Sequence, residues 1–254
     1  MKIWAIALNT FREAVRDKIL YALLFFALLM IAGSLLVAEL TVGEYEKILR
    51  DLGLSAINLF GMVIAVFVGI GLVYKEIERK TIYTIASKPV ARWQFLLGKY
   101  LGLVGTLAVE LAIMGVGFAL MLKFAHASGA MQSVPAIWLT LIELMVVCAV
   151  AIVFSCFSTP TLSALFTIGL CVIGRLTAPL KEFAANGDNE AFERFAVAMY
   201  WVVPDLQTFN LRAEASYGRA WDWEYIAYAT GYGLLWSSML LVVATIIFQF
   251  RDFR

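Results

Sequence analysis

Histidine occurs once in this chain, cysteine three times and proline five times, and charged side chains make up only 15% of its 254 residues. Each scarcity excludes something. The one histidine, His126, stands in KFAHASGAMQSVP with no Cys, Asp or Glu near it in sequence. It reads as a solvated loop residue, because a metal ligand needs partners. Cys148, Cys156 and Cys171 all fall in apolar runs. There they read as small packing residues, and three buried thiols give no disulfide framework. The shortage of charge accompanies a hydrophobic content of 62%, where a soluble domain has roughly 45–50%. A soluble protein is excluded, and no nucleic-acid partner is expected.

The apolar excess falls in separated runs, and a helix needs roughly 20 such residues to cross a bilayer. Six spans are predicted, at about Ile19–Leu40, Leu54–Tyr74, Leu101–Leu122, Ile137–Phe157, Leu162–Leu176 and Tyr225–Phe248. The runs are continuous and do not alternate as barrel strands do. The fifth is short, with Arg175 near its end, and reads as a helix that tilts little, packs among others or is partly re-entrant. The expected fold is an all-α integral membrane protein, one transmembrane domain over 1–254.

Basic residues set the orientation. With the N-terminus in the cytoplasm, the inner segments hold 12 of the 20 Lys and Arg residues against five acids, and the outer segments, counted with Arg175 and Glu39 at the outer ends of their spans, hold eight against 12 acids. Both termini are therefore expected inside. No secretory signal is expected, since the polar leader carries acids and no small-residue cleavage site follows it.

Residues 1–18 carry Ile3, Trp4, Ala7, Leu8, Phe11, Ala14 and Val15 at helical spacing, with Lys2, Arg12 and Arg16 elsewhere on the wheel. That pattern predicts a helix lying in the inner interface, its basic side chains near anionic lipid headgroups; the alternative is an extension of the first span. The outer segment 178–224 predicts an amphipathic helix with Asp188 as its cap, Phe192, Phe195, Met199, Val202 and Val203 on one face, and Pro204 as its stop. It reads as a lid or a partly inserted helix. Thr159-Pro160 predicts a tight turn between the fourth and fifth spans.

The stretch 75–100, KEIERKTIYTIASKPVARWQFLLGKY, interrupts two apolar runs with six of the basic residues. Its spacing predicts a helix, a turn at Ser87-Lys88-Pro89 and a second helix, protruding on the inner side. Two readings stay open on spacing alone. One is an interfacial loop that merely obeys the positive-inside bias. The other is a lever seated in a groove of a cytoplasmic partner, with Ile82 and Ile85 as the buried contact. Gly98-Lys99 is no phosphate loop, because Trp93 stands five before Gly98 and Tyr100 follows Lys99, where that motif has Gly and Ser or Thr.

The run EIERKTIYTIASKPVARWQFLLGKYLG resembles the cytoplasmic loop of ABC-2 type membrane permeases at Glu78, Lys80-Thr81, Pro89-x-x-Arg92 and Leu97-Gly98-Lys99. Lys80 departs from the glycine frequent there. FREAVRDKILY and the outer VVPDLQTFNL are similar to one branch, the NosY type grouped with multicopper-enzyme maturation. The resemblance implies a half-transporter: a homodimer of this chain in the bacterial inner membrane, with two cytoplasmic ABC ATPase subunits beneath it. ATP and Mg would sit on those partners, and this chain would bind no cofactor and be no enzyme by itself. An outer accessory protein is a further implied partner. The coupling helix would lie at Glu76–Ser87, so that Glu76, Glu78, Arg79, Lys80, Thr81, Ile82, Ile85, Pro89 and Arg92 would meet the ATPase. Trp4, Phe11, Arg12 and Arg16 would belong to the interfacial helix.

Two carboxylates lie inside spans. Glu110, near the middle of the third, reads either as a pathway-lining or proton-binding group or as a structural carboxyl bonded to a neighbouring helix. Glu143, taken to be near the outer edge of the fourth, is less informative. Arg175 is a candidate partner for either. Glycines at 61, 69, 71, 102, 105, 115 and 117 permit close helix approach, within one chain or across a dimer seam. A proton-coupled secondary transporter using Glu110 and a non-transporting assembly subunit are the rival functions.

Overall fold

A computed structural model of the chain describes residues 2–39, 44–78, 91–127, 129–185, 190–217 and 221–250. Their regular structure is helical: α1 (Lys2–Val15), α2 (Lys18–Glu39), α3 (Tyr45–Glu78), α4 (Arg92–Phe124), α5 (Ala130–Phe157), α6 (Pro160–Ala185), α7 (Glu190–Val202), a 3-10 turn (Leu206–Phe209), α8 (Arg212–Ser216) and α9 (Trp223–Phe250). Helices α2 to α6 and α9 are each long and apolar enough to cross a membrane. We call the end of the bundle holding α1, Arg92 and Phe157 proximal, and the end holding Tyr45, Phe124 and Ala130 distal.

Four spans are longer than their apolar runs; α4 starts at Arg92, where the second helix expected in 75–100 runs straight into the span. Helix α3 starts at Tyr45, nine residues before Leu54, because its first turns have a wall to pack on: Leu49 is fully buried, and Gly53 lies directly under the Phe118 ring of α4. Helix α5 starts at Ala130 after Gly129, whose φ of 100° suits a residue without a side chain. Helix α6 continues nine residues past Leu176 to Ala185, so the fifth span is not short and Arg175 is interior to it. Pro179 lies within α6 and has no N–H to give the Arg175 carbonyl. The turn before α6 falls at Ser158-Thr159, with Pro160 in the first helical turn as the sequence predicts.

The six spans differ in burial. Helices α3 and α5 are the most enclosed, α2 and α9 the least. At the centre Gly61 of α3 lets Leu111 of α4 and Leu144 of α5 close over it; a methyl there would sit 2.8 Å from Leu144 Cδ1 and 3.5 Å from Leu111 Cδ1. Part of the glycine set thus serves packing within the chain.

Helix α1 packs along the proximal half of α4. A methyl on Gly102 would meet the Ala7 carbonyl at 2.6 Å, one on Gly98 would meet Ile6 Cβ at 2.8 Å, and Phe11 reaches 3.6 Å from such a methyl on Gly105. The face that α1 buries is therefore Ala7, Thr10 and Ala14. Trp4 is 73% exposed and Leu8 also faces outward. The apolar stripe in the sequence is two faces, one against protein and one open, flanked by exposed Arg12 and Arg16.

Beyond α6 the chain folds back into the bundle. Pro204, just after α7, presents its carbonyl to Gly174 of α6, and the 3-10 turn sets Phe209 against Gly233 of α9. Gly233 is ten residues into α9, about 15 Å along its axis. Irregular backbone at such depth survives where protein supplies its hydrogen bonds. Tyr232 Oη accepts from Asp205 N at 2.9 Å, Asp205 Oδ1 accepts from Gln207 N at 2.9 Å, and Tyr225 Oη donates to the Thr208 carbonyl at 2.7 Å. Helix α7 stops just before Pro204 as predicted, but it buries Ala196 while Trp201 and Val202 are exposed, so Val202 is not on the packed face. The Asp188 cap lies outside the described residues.

Candidate functional site

Helix α3 carries Asp51, Ser55 and Asn58 at i, i+4 and i+7, hence on one face. Each meets a polar side chain from another element. Ser216 of α8 donates to Asp51 Oδ1 at 3.5 Å, and Arg212 Nη1 donates to Ser55 Oγ at 3.2 Å while its Nε reaches Asn210 Oδ1 at 3.0 Å. One turn deeper, Asn58 Nδ2 donates to Glu143 Oε2 at 2.6 Å. Arg175 Nη2 donates to Asn58 Oδ1 at 2.6 Å and to Glu143 Oε1 at 2.7 Å. The side chain of Glu143 is 3% exposed and that of Arg175 33%.

This network ties α3, α5, α6 and α8 together inside the distal half. It corrects the reading of Glu143 as a group near the edge of its span. Because α5 begins at Ala130, Glu143 is 13 residues in, about 20 Å along the axis, and cannot snorkel out. Arg175 is its partner, as the sequence allowed but did not establish. Sequence reasoning missed Asn58, Ser55 and Arg212. Asn58 was findable: an amide inside an apolar run has no reason to be there without a hydrogen-bond partner.

Glu110 is in the opposite condition. It is 2% exposed, and among the described residues neither carboxyl oxygen has a hydrogen-bond partner. It lies seven residues before Gly117, which meets Leu28, and eleven before Met121, whose sulfur accepts from Ser34 Oγ at 3.3 Å. Helical periodicity therefore turns Glu110 toward α2. The structure does not bring it to Arg175.

At the proximal end Arg92 Nη1 donates to the carbonyls of Phe248 and Gln249 at 2.8 and 3.0 Å, closing the C-terminal end of α9. Phe95 stacks on Phe248 with ring centroids 6.3 Å apart, and the buried Lys99 holds its Nζ 5.6 Å from the Phe95 ring. Glu76 and Glu78 lie in the last turn of α3, their side chains outside the described residues, as are Arg79, Lys80, Thr81, Ile82, Ile85 and Pro89 altogether. An apolar cleft of 180 Å³ opens where α1 turns into α2, between Leu20, Leu23, Phe67 and Val68, with Glu13 and Asp17 at its wall. Among the described residues no three His, Cys, Asp or Glu side chains gather as a metal site.

Six helices long and apolar enough to cross a membrane, three of them joined by a buried polar network, define a multi-pass integral membrane protein. The chain belongs to a known family of that kind: the model of the ABC-2 family transporter protein matches residues 4–252, which takes in most of α1 and all six spans. No curated protein matches the chain.

Proposed function

We propose that this chain is the membrane half of an ATP-driven exporter, working as a homodimer over two cytoplasmic ABC ATPase subunits. The observation that carries the reading is the family match across nearly the whole chain, from α1 to the end of α9. The proximal end is the cytoplasmic one, since the positive charges gather there. Both termini then lie in the cytoplasm, in the bacterial inner membrane. The segment 79–90 joins α3 to α4 at that end, and the coupling role belongs to it and to Glu76, Glu78 and Arg92. ATP and Mg sit on the partner. The NosY-type branch is supported by FREAVRDKILY and VVPDLQTFNL, and the buried position of Asp205, Leu206 and Phe209 gives the second motif a structural purpose.

Pull-down of the tagged chain in mild detergent from native membranes tests this. Two copies with two ABC ATPase chains are expected; a chain that brings down no ATPase, with no crosslink through 76–99, overturns the reading. One observation favours a second reading. The unpartnered Glu110 carboxyl is what a proton-coupled carrier requires. Transport that stops on adding an uncoupler while ATP remains, and persists without the ATPase, would select it.

A further inference from the structure

The cleft at the corner of α1 and α2 joins an apolar wall to a carboxylate mouth. Leu20 and Leu23 of α2 line it with Phe67, Val68 and Gly71 of α3, and Glu13 and Asp17 stand at its α1 end. It reaches from Ile19 to Leu23 on one helix and from Gly71 to Phe67 on the other, about 6 Å along each. Those residues begin the apolar run of α2 and lie near the end of that of α3, so the cleft opens where headgroups give way to acyl chains. Phe67 and Ile19 are 60% and 59% exposed at its rim, which leaves it open sideways to lipid. Gly71 keeps part of the α3 wall clear, since a methyl there would have nothing within 4 Å.

Charge is sorted across this corner. Glu13 and Asp17 are half-buried along the cleft, whereas Arg12, Arg16 and Lys18 are exposed and outside its lining. Asp17 gives Oδ1 to the N–H of Ile19 at 3.1 Å, which caps the start of α2. Glu13 makes no side-chain hydrogen bond or ion pair among the described residues. A half-buried carboxylate beside hydrocarbon favours a cation that brings N–H donors, and the outward bases suit an anion next to it. A phospholipid with a primary ammonium head carries the three matching parts: acyl chain, phosphate and ammonium. An anionic lipid would bring Glu13 only like charge, and a trimethylammonium head has no N–H to donate.

We propose that this cleft binds an aminophospholipid of the leaflet at the proximal end, with an acyl chain between α2 and α3, its ammonium on Glu13 and its phosphate toward Arg16 and Lys18. The site needs only the six-span fold, so it stands or falls apart from the exporter reading. The test is titration of the full chain, delipidated in detergent, with dioleoyl phosphatidylethanolamine, phosphatidylcholine and phosphatidylglycerol, read as lipid bound per chain by native mass spectrometry. Phosphatidylethanolamine is expected to bind about fivefold tighter than either of the others. Glu13→Gln should abolish that preference and leave a weaker, common affinity. Gly71→Leu, which adds bulk where a methyl meets nothing, should weaken phosphatidylethanolamine and phosphatidylcholine alike. Glu13 is half-exposed and Gly71 open, so both variants are expected to keep wild-type melting, and the comparison of lipids on the wild type needs neither. Equal affinity for phosphatidylethanolamine and phosphatidylcholine, tighter binding of phosphatidylglycerol, or an undiminished preference in Glu13→Gln overturns the site. Dodecylamine, an amphipathic amine without phosphate, is titrated beside the lipids. If it binds as tightly as phosphatidylethanolamine and with the same dependence on Glu13, the ammonium contact stands but the phospholipid is overturned as its occupant.

Discussion

Two glutamates inside the same bundle have been treated oppositely by their neighbours. Glu143 receives an amide and a guanidinium, the minimum that lets a carboxylate keep its charge out of water. Removing its partners one at a time should show the asymmetry. Arg175→Ala leaves Glu143 buried without its counter-charge and is expected to cost about 3–5 kcal/mol, whereas Asn58→Ala removes two hydrogen bonds to charged partners but leaves the ion pair and should cost about 2 kcal/mol. Thermal melting of the solubilised protein decides it; equal losses would mean that the carboxylate is not charged. Glu110 has nothing to lose. With both oxygens unpartnered, Glu110→Met should raise stability by on the order of 1 kcal/mol. Glu110→Gln is expected to reduce transport more than assembly, as befits a group kept at a cost in stability. Transport unchanged across pH in that variant would make the carboxyl merely structural. The sequence showed Glu110 as an ionisable group in mid-span, because burial in a long apolar run is a local property. It did not show that Arg175 meets Glu143, because that contact depends on the rotation of α5 against α6, which no spacing within either helix contains.

Helices were legible where apolarity and length agree and misjudged where packing replaces apolarity. The α6 extension TAPLKEFAA is too mixed to announce a span, yet it stays helical with Ala184 buried and α7 against it. Amphipathicity likewise announced α1 but not which apolar residues face protein, since lipid and protein reward the same side chains. The glycines of α4 answer that question. Gly98 and Gly102 bring the α1 backbone so close that a side chain has no room: a methyl on Gly102 would also meet Thr10 Cβ at 2.6 Å. Gly102→Leu is therefore expected to force α1 off α4 at a cost of about 1–3 kcal/mol. The check is hydrogen exchange. Protection of residues 2–15 should fall in the variant while that of α5 is unchanged, and unaltered protection in α1 would mean the seam does not hold it.

Across the whole molecule, the proximal ends of α1, α4 and α9 form one packed unit. Glycines key α1 to α4, and Arg92, Phe95 and Phe248 tie α4 to the end of α9. The segment 79–90 enters α4 at the root of that unit, so a push on it would move three helices at once, while the polar network holds α3, α5, α6 and α8 together in the distal half. On this arrangement two parts of the proposed coupling set, the residues of 79–90 that would touch the partner and Arg92 that would pass the push on to α9, should fail differently. Ile82→Asp or Arg79→Glu should weaken ATPase association and its stimulation while leaving membrane insertion and melting intact, if the proposed coupling role of those side chains holds. Arg92→Ala should leave association intact and lower transport per ATP hydrolysed, because it releases the α9 carbonyls and loosens the unit that would receive the push. Reconstituted vesicles give both quantities, ATPase bound per permease and substrate moved per ATP. Normal association and stimulation in both segment variants would remove the coupling role from 79–90. Loss of association in Arg92→Ala would move Arg92 from the cap of α9 to the partner's surface.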